Sequence, residues 1–322
     1  MNVGVLGCGL IGGKRCDALP KSDVVAAVFD PNAARAQALA KKTNARACES
    51  VDEVLRLVDV VVIATTNDQL APLTRRALEA NKHVVVEKPG ARDAAELRPI
   101  VELAAAKQRV VKVGFNHRFH PAIQKARAIL EDADACGPVM FVRARYGHGG
   151  RIGYDKEWRA NPAISGGGEL IDQGVHLIDL ARWFMGAEFT SVTGRVATFF
   201  WNMPVDDNAF MTLADANGRV AHLHASCTEW KNLFSFEIYA KRAKLHIEGL
   251  GGSYGVERLY HYAMTPEMGP PPTTIYEYPG KDTSWELEWA DFKRAVESGA
   301  PMAGDLRDAL ATLEIVDKLY GR

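Results

Sequence analysis

The chain has 322 residues, of which 47% are hydrophobic and 25% charged, and this ordinary globular composition excludes a disordered or fibrous protein. Its 39 Lys and Arg against 40 Asp and Glu give a formal charge of −1, so the chain lacks the basic excess that binding to nucleic acid uses. The five cysteines are scattered without a C-x-x-C pair, which favours a reducing compartment over a disulfide framework or a structural zinc site.

The N-terminal residues show neither the basic start nor the long apolar stretch of a signal peptide. The longest apolar runs have the length of strands, too short for a membrane-spanning helix. We therefore expect a cytoplasmic protein with no membrane partner and no nucleic-acid partner.

The first third of the chain alternates apolar runs with helical patterns. Continuous Val and Ile runs are typical of strands that helices cover on both faces. Their alternation with helices predicts an α/β, doubly wound parallel sheet of the Rossmann type. The predicted strands lie over residues 3–6, 24–29, 58–65, 83–87 and 110–115, and the predicted helices over 14–18, 33–42, 72–80 and 94–108.

The pattern changes after residue 119. The predicted elements are helices over 122–130 and 169–184 and a strand over 139–147, then strands and turns over 190–278, then helices over 285–298 and 306–319. Asn217-Gly218 marks a hairpin, and residues 268–272 are a loop. Successive strands predict an open, mainly antiparallel sheet in an α+β domain. We expect a dinucleotide-binding domain over 1–119 and a substrate-binding and oligomerisation domain over 120–322, with the last helix a candidate to pack back on the first.

A glycine-rich loop follows the first predicted strand. Gly7-Cys8-Gly9-Leu10-Ile11-Gly12 matches G-x-G-x-x-G and opens a helix, which is the context that dinucleotide binding requires. Gly7 permits the tight turn, Gly9 lets the backbone approach a pyrophosphate, and Gly12 lets helix and strand pack closely. The free N–H groups of the helix start favour an anion. The alternative is a simple glycine-rich turn between strand and helix.

An acid ends the second predicted strand. Asp30 lies 23 residues after Gly7, where a carboxylate binds the adenosine ribose diol and repels a 2′-phosphate. NAD is therefore the expected cofactor rather than NADP, although Arg35, one helical turn later, could soften the preference. The alternative role for Asp30 is to cap the following helix.

Lys88, in Glu87-Lys88-Pro89, follows another apolar strand. Ligands of a doubly wound sheet bind beyond the carboxyl ends of its strands, so this lysine could hydrogen-bond a substrate hydroxyl or tune a neighbouring acid–base group. The alternative is an ordinary surface lysine.

Three ionisable residues follow Gly166-Gly167-Gly168 on one helical face. Asp172 and His176 are four residues apart, with Asp179 three further on. A carboxylate beside an imidazole supports proton exchange with a hydroxyl near neutral pH. The alternative is a helix ion pair. The same residues resemble a metal-binding set, but no second motif supports one, so we expect no metal.

Five segments in this order resemble the Gfo/Idh/MocA oxidoreductases, which include glucose–fructose oxidoreductases and inositol dehydrogenases, and the resemblance covers nearly the whole chain. The five segments are the glycine loop, Ala64-Thr65-Thr66-Asn67, Glu87-Lys88-Pro89, Gly114-Phe115-Asn116-His117-Arg118-Phe119, and residues 167–179.

The resemblance implies a Rossmann domain, an open mainly antiparallel sheet, and hydride transfer between a sugar-like carbinol and NAD. By motif, His176 accepts the hydroxyl proton while Lys88 and Asp172 position the hydroxyl and tune the histidine. Thr65, Asn67 and Glu87 line the cofactor, and Asn116 lies near the nicotinamide or the substrate. Thr66 and Leu70 depart from the family pattern, so cofactor contacts should differ there.

The polar segment before the proposed catalytic helix supplies further substrate candidates, namely Arg151, Trp158 and Arg159. The arginines could bind a carboxylate or a nucleotide phosphate. The alternative is an ordinary polar loop.

The predicted function is hydride transfer between NAD and a carbinol of a sugar, inositol or nucleotide-linked sugar. Two alternatives stay open: a non-catalytic regulator that senses dinucleotide or sugar, and elimination or glycosidase chemistry with recycled NAD. Because large apolar faces rarely stay exposed, we expect a homodimer or homotetramer through strands near residues 192–201 and 234–247.

Overall fold

The computed structural model describes residues 1–267 and 269–322, and the chain divides into two compact units. The first unit comprises Met1–Phe115 with Trp285–Leu310, and the second comprises Asn116–Ser284 with Ala311–Arg322. Met268, the first residue of the predicted loop over 268–272, lies outside the described residues.

The first unit contains a six-stranded parallel sheet, as the Val and Ile runs predict. Its strands are β1 (Asn2–Leu6), β2 (Val24–Phe29), β3 (Arg46–Ala47), β4 (Val60–Ile63), β5 (His83–Val86) and β6 (Val111–Val113). The order β3-β2-β1-β4-β5-β6 reverses direction between β1 and β4, which creates a crevice at the carboxyl ends of these strands.

Five helices connect these strands: α1 (Leu10–Asp17), α2 (Ala33–Thr43), α3 (Val51–Leu57), α4 (Asn67–Glu79) and α5 (Ala94–Lys107). The sequence analysis missed β3 and α3. The start of α3 carries a recognisable signal, because Ser50 caps it by accepting a hydrogen bond from Glu53 N at 3.2 Å. The side chain of Glu53 in turn accepts a bond at Oε2 from Glu49 N at 2.9 Å.

The second unit is built on an eight-stranded sheet. Its helices are α6 (Pro121–Leu130), α7 (Ala133–Cys136), α8 (Pro162–Ser165) and α9 (Val175–Met185), and its strands are β7 (Val139–Gly147), β8 (Phe189–Ala197), β9 (Asn208–Asp215), β10 (Val220–Ser226), β11 (Leu233–Ala240), β12 (Ala243–Glu248), β13 (Glu257–Ala263) and β14 (Thr273–Tyr278). The order is β14-β13-β12-β11-β7-β10-β9-β8. Within this eight-stranded sheet, as far as the described residues show, only β7 and β10 pair in parallel, so the predicted mainly antiparallel sheet is confirmed.

The predicted hairpin joins β9 to β10, with Gly218 at φ +77° in its turn. The strand predicted over 192–201 ends at Ala197, because the backbone of the next residues bonds to a side chain instead of to a strand. Phe199 N, for example, donates to Asp207 Oδ1 at 2.9 Å.

Two helices close the chain, α10 (Ser284–Ser298) and α11 (Leu306–Tyr320). Trp289 and Phe292 of α10 pack into the core of the first unit with Val3 and Val5 of β1. No helix within residues 1–267 and 269–322 is both long and apolar enough to cross a membrane.

Helices α6 and α9 pack on the sheet of the second unit, and Val142, Ala144 and Tyr146 of β7 are buried. The residues that alternate with them, such as Arg143 and Arg145, are exposed. The sheet therefore has one buried face and one face that is open within this chain.

A charged network crosses this open face. Glu237 accepts hydrogen bonds from Arg143 Nε at 2.6 Å and from Tyr239 Oη at 3.1 Å, and it pairs with Lys244 Nζ at 2.7 Å. Burial alone would raise the carboxyl pKa, but the bonds from Arg143 and Lys244 outweigh it and lower the pKa of Glu237 to about 2.

This network predicts a specific loss of stability in acid. A carboxyl whose pKa is lower in the folded state stabilises the fold above its ordinary pKa and loses that contribution as the pH falls towards the folded-state value. As the pH falls from 4.5 to about 2, the free energy of unfolding of the wild type should decrease by about 1 kcal/mol more than that of Glu237→Gln. Denaturant unfolding measured across this pH range checks the difference, and equal losses would contradict it.

Candidate functional site

The glycine loop has the geometry of an anion-binding turn. Gly7 has φ +94°, and a Cβ there would lie 2.3 Å from Ala64 O, while a Cβ on Gly12 would lie 2.0 Å from Gly7 O. A Cβ on Gly9 would meet no described atom within 4 Å, so the loop is open at that residue. No side chain of the described residues caps the start of α1. The loop therefore fits the pyrophosphate of a dinucleotide.

Leu10 and Ile11 form the first turn of α1, and Leu10 is exposed. Their side chains add apolar surface at the start of α1 beside the loop. This is consistent with the predicted cofactor role, in which the backbone binds the anion.

Asp30 is held at the same loop. Its Oδ2 accepts a hydrogen bond from Cys8 N at 2.8 Å, and its Oδ1 accepts one from Asn32 N at 2.8 Å. The alternative role as helix cap is wrong, because Asn32 caps α2 through a bond from Arg35 N. The carboxylate therefore lies at the end of β2 beside the glycine loop, where it was expected to meet the ribose.

Glu87 is fixed by a residue that the sequence analysis did not select. Arg15 of α1 donates from Nε to Glu87 Oε1 at 2.7 Å and from Nη1 to Glu288 Oε2, and its guanidinium lies 4.4 Å from the centre of the Trp285 ring. Burial raises the pKa of the Glu288 carboxyl, and the positive charge of Arg15 acts in the opposite direction. One buried arginine thus joins the glycine-loop helix, the end of β5 and α10.

Lys88 is half-buried directly after Glu87, and its peptide bond to Pro89 is cis. Thr65 and Asn67 follow the neighbouring strand β4, Thr65 half-buried and Asn67 buried at the start of α4. All three residues therefore lie at the carboxyl-end edge of the sheet, where ligands of doubly wound sheets bind.

Asp172 and His176 belong to an irregular helix. Leu170–Gly174 form a π-helical turn that runs into α9. The expectation of a regular α-helix over 169–184 is therefore corrected at its first turn. Such turns widen the helix and occur frequently at functional sites.

Arg159 and Asp172 form a direct contact. Arg159 Nε donates to Asp172 Oδ2 at 3.1 Å, and its guanidinium lies 4.7 Å from the centre of the Trp158 ring. Burial would lower the pKa of Arg159, but Asp172 and its other neighbours raise it. Arg159 thus holds the carboxylate next to the proposed base, and two of the predicted substrate residues lie together.

His117 stacks on His176, a contact that the sequence analysis missed. The ring centres are 3.7 Å apart and the planes differ by 19°, and both side chains are buried. His117 Nδ1 lies 3.3 Å from Asn116 Oδ1, and Asn116 Nδ2 donates to Ser284 Oγ at 2.9 Å. The imidazole of His176 is therefore held against a second ring. No spacing rule could have found this contact, because 59 residues separate the two histidines.

Asp179 forms a buried ion pair with Arg118. It accepts bonds from Arg118 Nε at 2.8 Å and Nη2 at 2.6 Å, and both side chains are buried. Within the described residues no group of three or more His, Cys, Asp and Glu could hold a metal ion.

Arg151 is exposed, and its guanidinium pairs with Glu157 at 2.6 Å. Glu157 also lies 3.5 Å from Arg159 Nη1. A line of alternating charges therefore leads from the surface to Asp172, and the two arginines predicted to bind an anion share one carboxylate.

Taken separately, the two units offer complementary chemistry. The first presents an open glycine loop, a carboxylate beside that loop and a lysine at the carboxyl-end edge of its sheet. The second presents an imidazole, held by a stacked ring, with a carboxylate one turn earlier. Dinucleotide binding and proton transfer are the activities that these groups support.

Comparison with known proteins gives the same assignment. Residues 1–115 match the oxidoreductase family with an NAD-binding Rossmann fold, and residues 123–246 match the GFO/IDH/MocA C-terminal domain. An inositol 2-dehydrogenase of Rubrobacter xylanophilus is 31% identical over 78% of this chain and 72% of its own length.

A levoglucosan dehydrogenase of Pseudarthrobacter phenanthrenivorans is 29% identical over 58% of this chain, and the match spans just over half of that protein, 55%. The solved structure of a levoglucosan dehydrogenase in complex with NADH superposes with a TM-score of 0.90 at 23% identity, covering 100% of this chain and 96% of that one. This likeness establishes the fold. The chain is therefore a member of the GFO/IDH/MocA oxidoreductase family.

Proposed function

We propose that this protein is an NAD-dependent dehydrogenase that transfers a hydride between the nicotinamide and a carbinol of a sugar, an inositol or a nucleotide-linked sugar. The observation that carries the proposal is the retention of Lys88, Asp172 and His176 together with an open glycine loop. A regulator that only senses dinucleotide has no need of all three side chains.

NAD, when bound, would supply the hydride acceptor for the carbinol carbon. The glycine loop would hold its pyrophosphate through backbone N–H groups, Asp30 would bind its ribose, and Thr65, Asn67 and Glu87 would line the cofactor. An imidazole nitrogen of His176 accepts the hydroxyl proton as the hydride leaves, because a positioned base of near-neutral pKa suits that transfer.

Three other side chains act on the same hydroxyl or on the base. The Lys88 ammonium donates a hydrogen bond to the hydroxyl oxygen and stabilises the charge that develops there. Asp172, held by Arg159, favours the protonated form of His176. Asn116 holds His117 and so supports the ring against which His176 stacks.

A substrate panel tests this function. Purified protein is mixed with NAD and, one at a time, with sugars, inositols and nucleotide-linked sugars, and NADH formation is followed by absorbance. We expect NADH with at least one class. Product formation without net NADH would point to elimination or glycosidase chemistry with recycled NAD, and no turnover at all would favour the sensing regulator.

Cofactor preference gives a second prediction. The wild type should bind NAD more tightly than NADP in calorimetry. Asp30→Asn should reduce the ratio of these two affinities about tenfold, because it removes the negative charge but keeps an acceptor oxygen for Cys8 N. Asp17→Asn, an exposed acid on α1, is the control. Equal or tighter binding of NADP by the wild type would contradict the role of Asp30.

The oligomeric state of the protein can be predicted as well. The open face of the sheet carries Phe141 and Tyr239, stacked with ring centres 4.3 Å apart, and this supports a homodimer or homotetramer through that face. Light scattering at micromolar concentration should give a multiple of the chain mass, and Phe141→Asp should reduce it. A monomeric wild type would contradict the assembly.

The proposed compartment is the cytoplasm. All five cysteines are free thiols, which suits a reducing environment. The near-neutral charge supports small molecules as the partners of this protein rather than nucleic acid.

A further inference from the structure

A group of aromatic side chains is exposed on the second unit, close to the segment that carries Arg151. Trp230 is 74% exposed, Phe199 63% and Phe200 53%, and the rings of Phe200 and Trp230 meet edge to face with centres 4.8 Å apart. We name Phe200 and Trp230 the aromatic platform, whereas the ring of Phe199 meets that of Phe210, with centres 6.5 Å apart. Contiguous exposed apolar groups of this kind mark binding sites more often than chance.

A buried carboxylate fixes the shape of the platform. Asp207 is fully buried, and its oxygens accept hydrogen bonds from three successive backbone amides: Phe199 N at 2.9 and 3.1 Å, Phe200 N at 2.8 Å and Trp201 N at 3.0 Å. Trp201 Nε1 donates to Cys227 O at 3.0 Å. Because a buried charge is costly unless it is fully bonded, the loop is held in one shape with its two phenylalanines facing solvent.

The other half of the platform is strained. Trp230 has φ +57°, a conformation that is an outlier for a bulky residue and that the surrounding structure must enforce. The enforcing contacts are present, because Glu229 N donates to His148 O at 3.0 Å and a Cβ on Gly149 would lie 3.1 Å from the backbone of Trp230. Such strain is concentrated at functional sites.

The platform is continuous with the proposed substrate site. A Cβ on Gly150 would lie 2.4 Å from the ring of Trp201, so strand end and aromatic loop are in close contact. Trp201 packs against Tyr154 with ring centres 5.7 Å apart. The ring of Tyr154 also lies 5.5 Å from that of His148, and His148 Nε2 lies 3.9 Å from Glu169 Oε2 in the proposed catalytic segment.

Positive charge accompanies the rings. Arg151 follows Gly149 and Gly150 in the chain, and Glu157 is the one carboxylate that pairs with it among the described residues. Lys231 follows Trp230 and is exposed. Glu229 lies 3.9 Å from His224 Nδ1. The surface beside the platform thus offers an arginine and a lysine to an anion.

Flat rings beside cations recognise a nucleotide. A nucleobase stacks on an aromatic side chain without regard to its identity, and the guanidinium fork matches phosphate oxygens. A free sugar or an inositol carries no flat ring and no phosphate, so it would use neither feature.

We propose that the aromatic platform and Arg151 form a subsite for the nucleoside diphosphate portion of a nucleotide-linked sugar. This rests on the proposed function and narrows its three substrate classes to one. The base stacks on the exposed ring of Trp230, which the nearly perpendicular ring of Phe200 supports from the side. The diphosphate bonds to Arg151, whose guanidinium also pairs with Glu157. The sugar then extends towards Tyr154 and the catalytic segment.

The test uses the full chain saturated with NADH, so that the dinucleotide site is already filled. UDP, dTDP, GDP and CDP, and the matching nucleosides, are titrated by calorimetry. We expect at least one diphosphate to bind, and Trp230→Ala or Phe200→Ala to weaken that binding about tenfold. Arg151→Ala should weaken the diphosphate but not the nucleoside. Ile275→Ala, which removes an exposed apolar side chain of β14, should change neither.

Two results would overturn the subsite. One is a wild type that binds none of the four diphosphates at millimolar concentration. The other is platform variants that alter the mass in light scattering but leave every affinity unchanged, since a second copy of the chain would then cover the platform. The proposed function is judged separately, because NADH formation from a free sugar without diphosphate binding would refute only the subsite. Diphosphate binding without any hydride transfer would refute only the dehydrogenase.

Discussion

Replacing His176 or Lys88 should lower kcat at least about a hundredfold while NAD still binds. A positioned base contributes roughly 10²–10⁴-fold to such a reaction, and neither side chain is assigned to the pyrophosphate or the adenosine ribose. His176→Asn and Lys88→Met keep much of the side-chain volume, which matters because His176 is buried against His117. Steady-state kinetics on the best substrate of the panel gives kcat, and calorimetry gives the affinity for NAD.

Matched controls separate chemistry from folding. His222→Asn and Lys241→Met alter exposed residues of the second unit and should leave kcat unchanged. Each variant should also melt within a few degrees of the wild type. If His176→Asn and Lys88→Met both keep near-normal turnover on the true substrate, the assigned mechanism is wrong.

Asp172→Asn should reduce kcat less than His176→Asn, because the base itself remains. The structure adds a second consequence that the sequence analysis lacked. Arg159 donates to Asp172 at 3.1 Å, so the carboxylate partly neutralises the charge of Arg159. The uncharged asparagine side chain no longer does so. The positive charge of Arg159 then disfavours protonation of His176. The pKa seen in the pH profile of kcat/KM should therefore fall in this variant.

The framework of the site could be predicted because its signals are local. Gly7, Gly9 and Gly12 act within one strand–turn–helix unit, and their spacing alone specifies the loop that the structure shows. The parallel sheet follows from continuous Val and Ile runs, since only strands covered on both faces have that composition. For Lys88 and His176, position and spacing left both a catalytic and a structural interpretation open, and the family resemblance favoured the catalytic one.

What could not be predicted depends on contacts between distant residues. Arg15 meets Glu288 across 273 residues of sequence, and His117 meets His176 only because two segments of the second unit fold together. The π-helical turn at Leu170–Gly174 inserts an irregularity that a period of 3.6 residues cannot register. The N-cap of α2 is another example. Asp30 and Asn32 are both suitable capping residues, and only the folded structure shows that Asn32 is the cap.

The buried pair of Arg118 and Asp179 should be the most sensitive point of the second unit. The two side chains are 3% and 1% exposed and share two hydrogen bonds, so removing either one leaves a buried charge without its partner. Asp179→Ala or Arg118→Met should therefore destabilise this unit by about 3–5 kcal/mol. Chemical denaturation, followed by the fluorescence of the six tryptophans, reports the loss. One of them, Trp183, lies 5.6 Å from the Arg118 guanidinium.

A double variant tests whether the ion pair itself holds the two segments together. Arg118→Met with Asp179→Leu removes both charges and fills the space with apolar groups, so it should recover much of the stability that either single variant loses. Its kcat should stay low. Arg118 directly follows His117 and Asp179 lies three residues after His176, so the ion pair holds the two stacked rings together, and the apolar pair would not. Arg258→Met, which breaks the exposed pair with Glu277 at 2.5 Å, should change stability little. A double variant no more stable than the single ones would show that the buried pair is not what holds these two segments together.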